Sequence, residues 1–157
     1  MTVLLVIASI LIYLGMYLHD WHSTMIYDLD HVNIVTSSFT ETVSFYETKL
    51  GLVSRPGVSS VNRTENSWLE TQQGVVVIHV NGPLDSTAPP AGATGRLDHF
   101  ALRCHDLAGM TQRLETSGTT FEQRRIAARA MTQLILYDPN GIKVELTFID
   151  GDGPMLS

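Results

Sequence analysis

The clearest pattern in the chain is a six-residue strand-like segment that occurs twice. Residues 29–34 (LDHVNI) and 97–102 (LDHFAL) both alternate polar and apolar positions, which is typical of a strand with one face in the core. A helix-length stretch and further strand-like runs follow each copy. The chain is therefore one structural unit written twice, and each copy has too little core to be stable alone.

Helix signals follow both strand segments. In the first copy, Ser38 and Glu41 have the spacing of a capping box, and apolar residues recur on one helical face until Gly51. In the second copy, Asp106 is suited to cap a helix that Gly118 ends. The apolar positions that define the two buried helix faces are Phe39, Val43, Tyr46 and Leu50, then Leu107, Met110 and Leu114.

Short strand-like runs complete each copy. The first copy has residues 75–80, and the second has 131–137 and 142–148. The sequence Asp138-Pro139-Asn140-Gly141 separates the last two runs, and its Pro and Gly favour a tight turn. Residues 81–96, rich in Gly, Pro, Ala, Ser and Thr, are predicted to be a linker between the copies.

An uncharged hydrophobic segment precedes the repeats. Residues 3–18 are slightly shorter than the ~20 residues that usually span a bilayer. No basic region precedes these residues and no clear cleavage site follows them, so the pattern of a secretory signal is not met. Three interpretations of residues 1–24 stay open: an upstream start codon with Met25 as the natural start, a short membrane anchor, or a helix packed on the domain or a partner. We place the folded domain at residues 25–150.

Composition excludes several functional classes. The chain has 157 residues, which suits one domain, and its net charge of −6 argues against nucleic-acid binding because phosphate contacts need a basic patch. The single cysteine, Cys104, excludes an intrachain disulfide and a Cys-rich zinc site, and we interpret it as a small buried hydrophobe. We expect a cytoplasmic protein, with membrane attachment only if residues 3–18 act as an anchor.

Titratable side chains share a face on three of the predicted strands. His31 lies on the same face as Asn33, His99 on the same face as Arg103, and Glu145 opposite its apolar neighbours. Burying such groups costs several kcal/mol unless they are paired or bind a metal. Two imidazoles and a carboxylate suit Fe, Mn, Co, Ni or Zn and leave open coordination positions. We predict His31, His99 and Glu145 as metal ligands and Asn33 and Arg103 as substrate-binding residues; an ordinary ion pair is the alternative for Arg103.

His79 is an ambiguous fourth candidate. It lies at the end of the last strand of the first copy, on the same face as Val77. Counted from the turn glycines Gly74 and Gly141, His79 falls one residue later than Glu145 does. By that count, the residue equivalent to Glu145 in the first copy is Val77 or the residue after it, and neither can bind metal. A longer turn would bring His79 to the site, and we predict that it is a fourth ligand.

Together these residues resemble the vicinal oxygen chelate superfamily. Its members include glyoxalase I, extradiol dioxygenases, fosfomycin-resistance enzymes, methylmalonyl-CoA epimerase and bleomycin-binding proteins. The resemblance covers residues 28–149. The segments that carry it are LDH at 29–31 and 97–99, FY at 45–46, LG at 50–51, DPNG at 138–141 and VEL at 144–146.

The resemblance implies an α+β fold of two βαβββ modules, residues 26–80 and 97–149. They would form a U-shaped mixed β-sheet, with helices on the outside, around a divalent metal ion. It also implies a homodimer, in which modules of different chains can share a site, and a small-molecule substrate. The family's metal ligands map onto His31, His99 and Glu145, with His79 near the family's variable fourth ligand.

The implied activity is isomerase or lyase chemistry on a small substrate with vicinal oxygens. The metal would act as a Lewis acid, and Glu145 would alternate between ligand and general base. An extradiol dioxygenase and a non-catalytic binding or bleomycin-resistance protein are the alternatives. Ile135 stands where dioxygenases usually carry a tyrosine, and Val35 where glyoxalase I carries an arginine for glutathione. Bleomycin-binding relatives generally lack the metal ligands.

Overall fold

The computed structural model describes residues 28–57, 65–83 and 95–151. Contacts divide the chain into two compact units, Met1–Asp30 and His31–Ser157. In the first unit only residues 28–30 are described, and they are exposed. The hydrophobic segment at 1–24 and the central part of the proposed linker, residues 84–94, lie outside the described residues. No helix in the described ranges is both long enough and apolar enough to cross a membrane.

Each module consists of a strand, a helix and three further strands. The first module contains β1 (Val32–Val35), α1 (Phe39–Thr48), β2 (Val53–Pro56), β3 (Asn66–Glu70) and β4 (Val76–Asn81). The second contains β5 (His99–Cys104), α2 (Leu107–Thr116), β6 (Glu122–Ile126), β7 (Met131–Tyr137) and β8 (Lys143–Ile149), with a short 3₁₀ helix (Ala127–Arg129) before β7. The predicted α+β fold of two βαβββ modules is confirmed.

The strands form two four-stranded mixed sheets with the same internal order. The first sheet runs β1-β4-β3-β2 and the second β5-β8-β7-β6. The pairs β1–β4 and β5–β8 are parallel, and the other neighbouring strands are antiparallel. The first strand of each module is therefore an edge strand. His31 directly precedes β1 and His99 begins β5, so both predicted ligands lie at sheet edges.

The two helices begin in different ways. Asp106 caps α2 as predicted, because its carboxylate accepts a hydrogen bond from the backbone N–H of Gly109 at 2.9 Å. The capping box predicted for Ser38 and Glu41 is wrong, since the side chain of Ser38 makes no capping hydrogen bond. The preceding Thr36 holds this loop instead, with its hydroxyl oxygen accepting a hydrogen bond from the Ser38 N–H at 2.9 Å.

Helix α1 joins the two modules through the turn between β7 and β8. The Tyr46 hydroxyl donates to Asp138 at 3.1 Å, and burial together with that carboxylate raises the pKa of Tyr46 above its usual range. The Asn140 side chain accepts from the Thr36 hydroxyl at 2.5 Å and donates to the Thr42 hydroxyl at 3.0 Å. One apolar core runs through both modules. Its members include Tyr46, Leu69 and Ile78 from the first and Leu114, Leu134 and Leu146 from the second.

Candidate metal centre

Two histidines and a tryptophan stack together in the first module. The rings of His31 and His79 lie 3.8 Å apart at an interplanar angle of 23°. Trp68, the neighbour of His79 in β3, also stacks on His79, at 4.9 Å and 7°. The first module therefore presents two neighbouring imidazoles, the nitrogen donors that divalent transition metals favour. Asn33 lies opposite His79 in β4 and accepts a hydrogen bond from Asn81 at 2.5 Å.

The second module pairs a histidine with a carboxylate. Nε2 of His99 lies 3.6 Å from Oε2 of Glu145. The other ring nitrogen, Nδ1, is 2.8 Å from the carboxylate of Asp98. A proton held on Nδ1 by that carboxylate leaves the lone pair on Nε2, which is the arrangement that supports metal-ligating histidines.

A lysine completes the hydrogen-bonded chain behind His99. Lys143 forms an ion pair with the Asp98 carboxylate that also contacts His99. The hydrogen bonds from Lys143 and then His99 lower the pKa of Asp98, and the same carboxylate raises the pKa of Lys143. Asp98 therefore stays ionised, and its negative charge favours a proton on the near nitrogen of His99.

Glu145 is a buried carboxylate between two apolar strand neighbours. It is 8% exposed, and its neighbours across the sheet are Ala101 in β5 and Ile135 in β7. The amide nitrogen of Gln133 donates a hydrogen bond to Oε2 of Glu145 at 2.6 Å. An amide satisfies a lone pair but adds no positive charge. A bound cation would offset the desolvation cost of a carboxylate at this position.

The strand register makes His79 the counterpart of Glu145. His79 lies opposite Asn33 in the first sheet, and Glu145 lies opposite Ala101 in the second. Asn33 and Ala101 each follow the first histidine of their module by two residues. The two modules thus place an imidazole and a carboxylate, two side-chain types that can bind metals, at the same position beside the histidine-bearing edge.

A bulge in β4 explains why counting from the turn failed. Leu69 of β3 pairs with Ile78, whereas the next residue, Glu70, pairs with Val76, so Val77 has no partner of its own. The bulge at Val77 accommodates the one additional residue that the first module has between its turn glycine and His79. The count from the turn glycines, which made Val77 or Ile78 the equivalent of Glu145, is therefore wrong.

The predicted ligands come together as two pairs within one chain. His31 is next to His79 in the first sheet, and His99 is next to Glu145 in the second. Within residues 28–57, 65–83 and 95–151, no three His, Cys, Asp or Glu side chains form a group that could hold a metal ion. The chemistry of the four donors suits a divalent transition metal, but a site with all four requires the two pairs to meet.

A groove of about 320 Å³ extends from the His99 network. Asp98 and Lys143 line it, together with the exposed side chains of Leu97 and Tyr137. Its volume is within the range of small-molecule sites. Arg103, the other predicted substrate-binding residue, is exposed in β5 opposite Thr147 of β8, one step along the face from Glu145.

Four residues that support this centre were not identified as site residues from the sequence. Gln133 had a detectable signal, because it is a polar residue inside the otherwise largely apolar strand MTQLILY. Asp98 also had a signal, because it recurs with Asp30 in the repeated LDH segment. Lys143 had none, because charged residues at the ends of strands are common on surfaces. Trp68 had only a weak signal, since β3 was not recognised as a strand.

Comparisons with known proteins place these features in a family context. The model of the Glyoxalase/Bleomycin resistance protein/Dioxygenase superfamily matches residues 30–137. The protein "Glyoxylase I 4" of Arabidopsis thaliana is 25% identical over 125 residues, which cover 78% of this chain and 71% of that protein.

Solved structures share the fold. A glyoxylase/bleomycin resistance protein/dioxygenase domain from Frankia sp. EAN1pec superposes with a TM-score of 0.64 at 16% identity, covering 81% of this chain and 96% of that one. The genomically encoded fosfomycin resistance protein FosX from Listeria monocytogenes gives a TM-score of 0.58 at 15% identity, covering 79% and 94%.

Proposed function

The chain belongs to the Glyoxalase/Bleomycin resistance protein/Dioxygenase superfamily, and from this premise we propose that it is a divalent-metal-dependent isomerase or lyase. Its substrate is a small molecule with two vicinal oxygens. The observation that carries the proposal is the register equivalence of the two modules. Each edge histidine has a second metal-binding side chain at the same position of the neighbouring parallel strand, His79 in one module and Glu145 in the other.

The proposed ligands are three imidazoles and one carboxylate. This donor set suits Mn, Fe, Co, Ni or Zn better than Mg or Ca, which take mainly oxygen ligands. Four protein donors leave room for two substrate oxygens. When bound, the metal would supply Lewis-acid polarisation of a substrate carbonyl. The ligands are His31, His79, His99 and Glu145.

The side chains of the chain itself supply proton transfer and orientation. Glu145 removes a proton from the substrate carbon beside the carbonyl and returns it to the product, because its buried carboxylate faces His99 and is poorly hydrated. Asp98 keeps the proton of His99 on Nδ1 and so keeps Nε2 available as a donor. Arg103 and Asn33 bind the polar groups of the substrate.

A second copy of the chain completes the site. The two ligand pairs lie on separate sheets, each beside an edge strand, while α1 and the turn at residues 138–141 hold the modules of one chain together. In the proposed homodimer, the His31–His79 pair of one copy meets the His99–Glu145 pair of the other. A single chain whose own sheets close on each other is the alternative arrangement.

Turnover assays on two substrate panels test the activity. The protein is first stripped of metal with a chelator and reloaded with each metal. It is then assayed with α-dicarbonyl compounds and thiols in one panel, and with catechols and O₂ in the other. We expect metal-dependent conversion in the first panel, and its loss in Glu145→Gln, which preserves the size of the side chain. His105→Ala is the matched control, because His105 is exposed and belongs to neither pair.

The catechol panel distinguishes the second candidate, an extradiol-type dioxygenase. Ile135, directly opposite Glu145 and only 6% exposed, offers no proton donor or acceptor there, so we expect no ring cleavage. Ring cleavage with O₂ consumption would instead establish the dioxygenase. Binding of a small molecule without metal or turnover would favour a non-catalytic binding or resistance protein.

A further inference from the structure

Glu145 depends on one side chain of the neighbouring strand for its orientation. Across the sheet it faces Ala101 and Ile135, and neither of these side chains can form a hydrogen bond. Gln133 reaches Glu145 from one step further along β7. Its amide nitrogen lies 2.6 Å from Oε2 of Glu145 and 3.5 Å from the hydroxyl of Thr147, its direct neighbour in β8.

Gln133 is as buried as the carboxylate it contacts. Both residues are 8% exposed. A buried amide costs free energy unless its polar atoms are bonded, so the contact with Glu145 offsets the burial of both groups. Gln133 is on the site face of β7, while Leu134 and Leu136 on the opposite face are fully buried in the core. Changing Gln133 to an apolar residue of similar volume therefore leaves the core intact.

The neutrality of the amide matters at this position. Lysine or arginine there would neutralise the carboxylate and compete with a metal cation, whereas glutamine fixes the carboxylate and leaves its charge in place. The oxygen that Gln133 holds is the one 3.6 Å from Nε2 of His99. Gln133 thus determines where the carboxylate lies relative to the histidine.

We infer that Gln133 is a positioning residue that orients Glu145 for shared metal binding with His99. The inference rests on the proposed function, because it assumes that Glu145 and His99 are ligands. Gln133 acts through Glu145 and contacts neither metal nor substrate. Residues that hold metal ligands in this way typically change metal affinity by about 10–100-fold when they are replaced.

The test is Co²⁺ binding by the full chain, followed by visible absorption and calorimetry, alongside thermal unfolding. Gln133→Met has similar length and volume but lacks the amide donor. We expect it to bind Co²⁺ about 10–100-fold more weakly, with an altered absorption spectrum and a melting temperature close to that of the wild type. Gln123→Met, at an exposed position of β6, is the matched control and should match the wild type in all three measurements.

The outcomes separate this inference from the proposed function. Wild-type affinity and spectrum in Gln133→Met, together with loss of binding in Glu145→Ala, would overturn the positioning role and leave the metal site standing. No Co²⁺ binding by the wild type would overturn both. If Gln133→Met does not fold, Gln133→Asn provides the same test, because it keeps an amide that is too short to reach Glu145. Wild-type binding by that variant would equally overturn the role.

Discussion

His79 and Glu145 occupy the same register position in their two modules, although His79 lies five residues after its turn glycine and Glu145 only four. The bulge in β4 absorbs the difference, so the backbone geometry of the two modules agrees where their residue counts do not. One module offers an imidazole and the other a carboxylate at this position. The two modules therefore differ in the chemical type of this side chain but not in its position.

The first prediction concerns the exchange of donors at His79. We expect His79→Ala to weaken binding of a divalent metal by about 10–100-fold and not to abolish it, because three ligands remain. His79→Glu should restore most of the affinity, since a carboxylate serves at the equivalent position of the second module. Isothermal titration with Zn²⁺ or Ni²⁺ measures both effects. Equal binding by His79→Ala and the wild type would exclude His79 as a ligand.

The second prediction uses Trp68 as an optical reporter. The chain has two tryptophans, so Trp21→Phe leaves the emission of Trp68 alone. Because Trp68 stacks on His79 at 4.9 Å, binding of paramagnetic Co²⁺ or Ni²⁺ should quench its fluorescence in a saturable way. When His79→Ala is added, the same quenching should require about 10–100-fold more metal, because three ligands remain and the affinity is lower. An unchanged midpoint of quenching in this double variant would mean that the ion binds elsewhere.

The third prediction tests whether two copies share each site. One variant chain carries His31→Ala with His79→Ala, and the other carries His99→Ala with Glu145→Ala. Neither should bind metal alone. After the two are unfolded and refolded together, each mixed dimer should regain one intact site of two, because its wild-type halves come from different chains. Metal analysis of the mixture measures the recovery. If no metal binding returns although mixed dimers form, the site lies within one chain.

The fourth prediction concerns the contact that joins the modules. Tyr46→Phe removes the buried hydrogen bond to Asp138 and should lower the free energy of unfolding by about 1–3 kcal/mol. Asn140 continues to bond the same carboxylate, which limits the loss. Tyr137→Phe is the control and should change stability little, because Tyr137 is 62% exposed. Urea titrations of both variants measure the difference. If the two variants were equally stable, the Tyr46 hydroxyl would not stabilise the contact between the modules.

The sequence predicts the repeated elements and misses those without a regular pattern. The two histidine-bearing strands, both helices, and the turn at Asp138 follow from periodicity and turn chemistry. Strand β6 (EQRRI) could not be found in this way, because all but its last residue are exposed and its side chains do not alternate. The bulge at Val77 depends on pairing with β3, which no local pattern in β4 reveals.

For the candidate site, sequence reasoning names candidate donors, which stay a prediction, but it does not give their arrangement. The repeat of His31 and His99 points to an edge position in each module. The Ser38 capping box failed because the Ser38 N–H donates to the hydroxyl of Thr36, which itself donates to Asn140, a residue distant in sequence. The division of the ligands into two pairs likewise depends on how the modules pack, and only tertiary contacts determine this.

Metal content measures the central claim most directly, namely that both ligand pairs serve one divalent ion. The full chain and three variants, His31→Ala, His99→Ala and Glu145→Ala, are purified without chelators and analysed by inductively coupled plasma mass spectrometry. Circular dichroism confirms that each variant is folded. We predict about one divalent transition metal ion per wild-type chain and its loss from each folded variant. A wild-type metal content retained in all three variants would contradict the account.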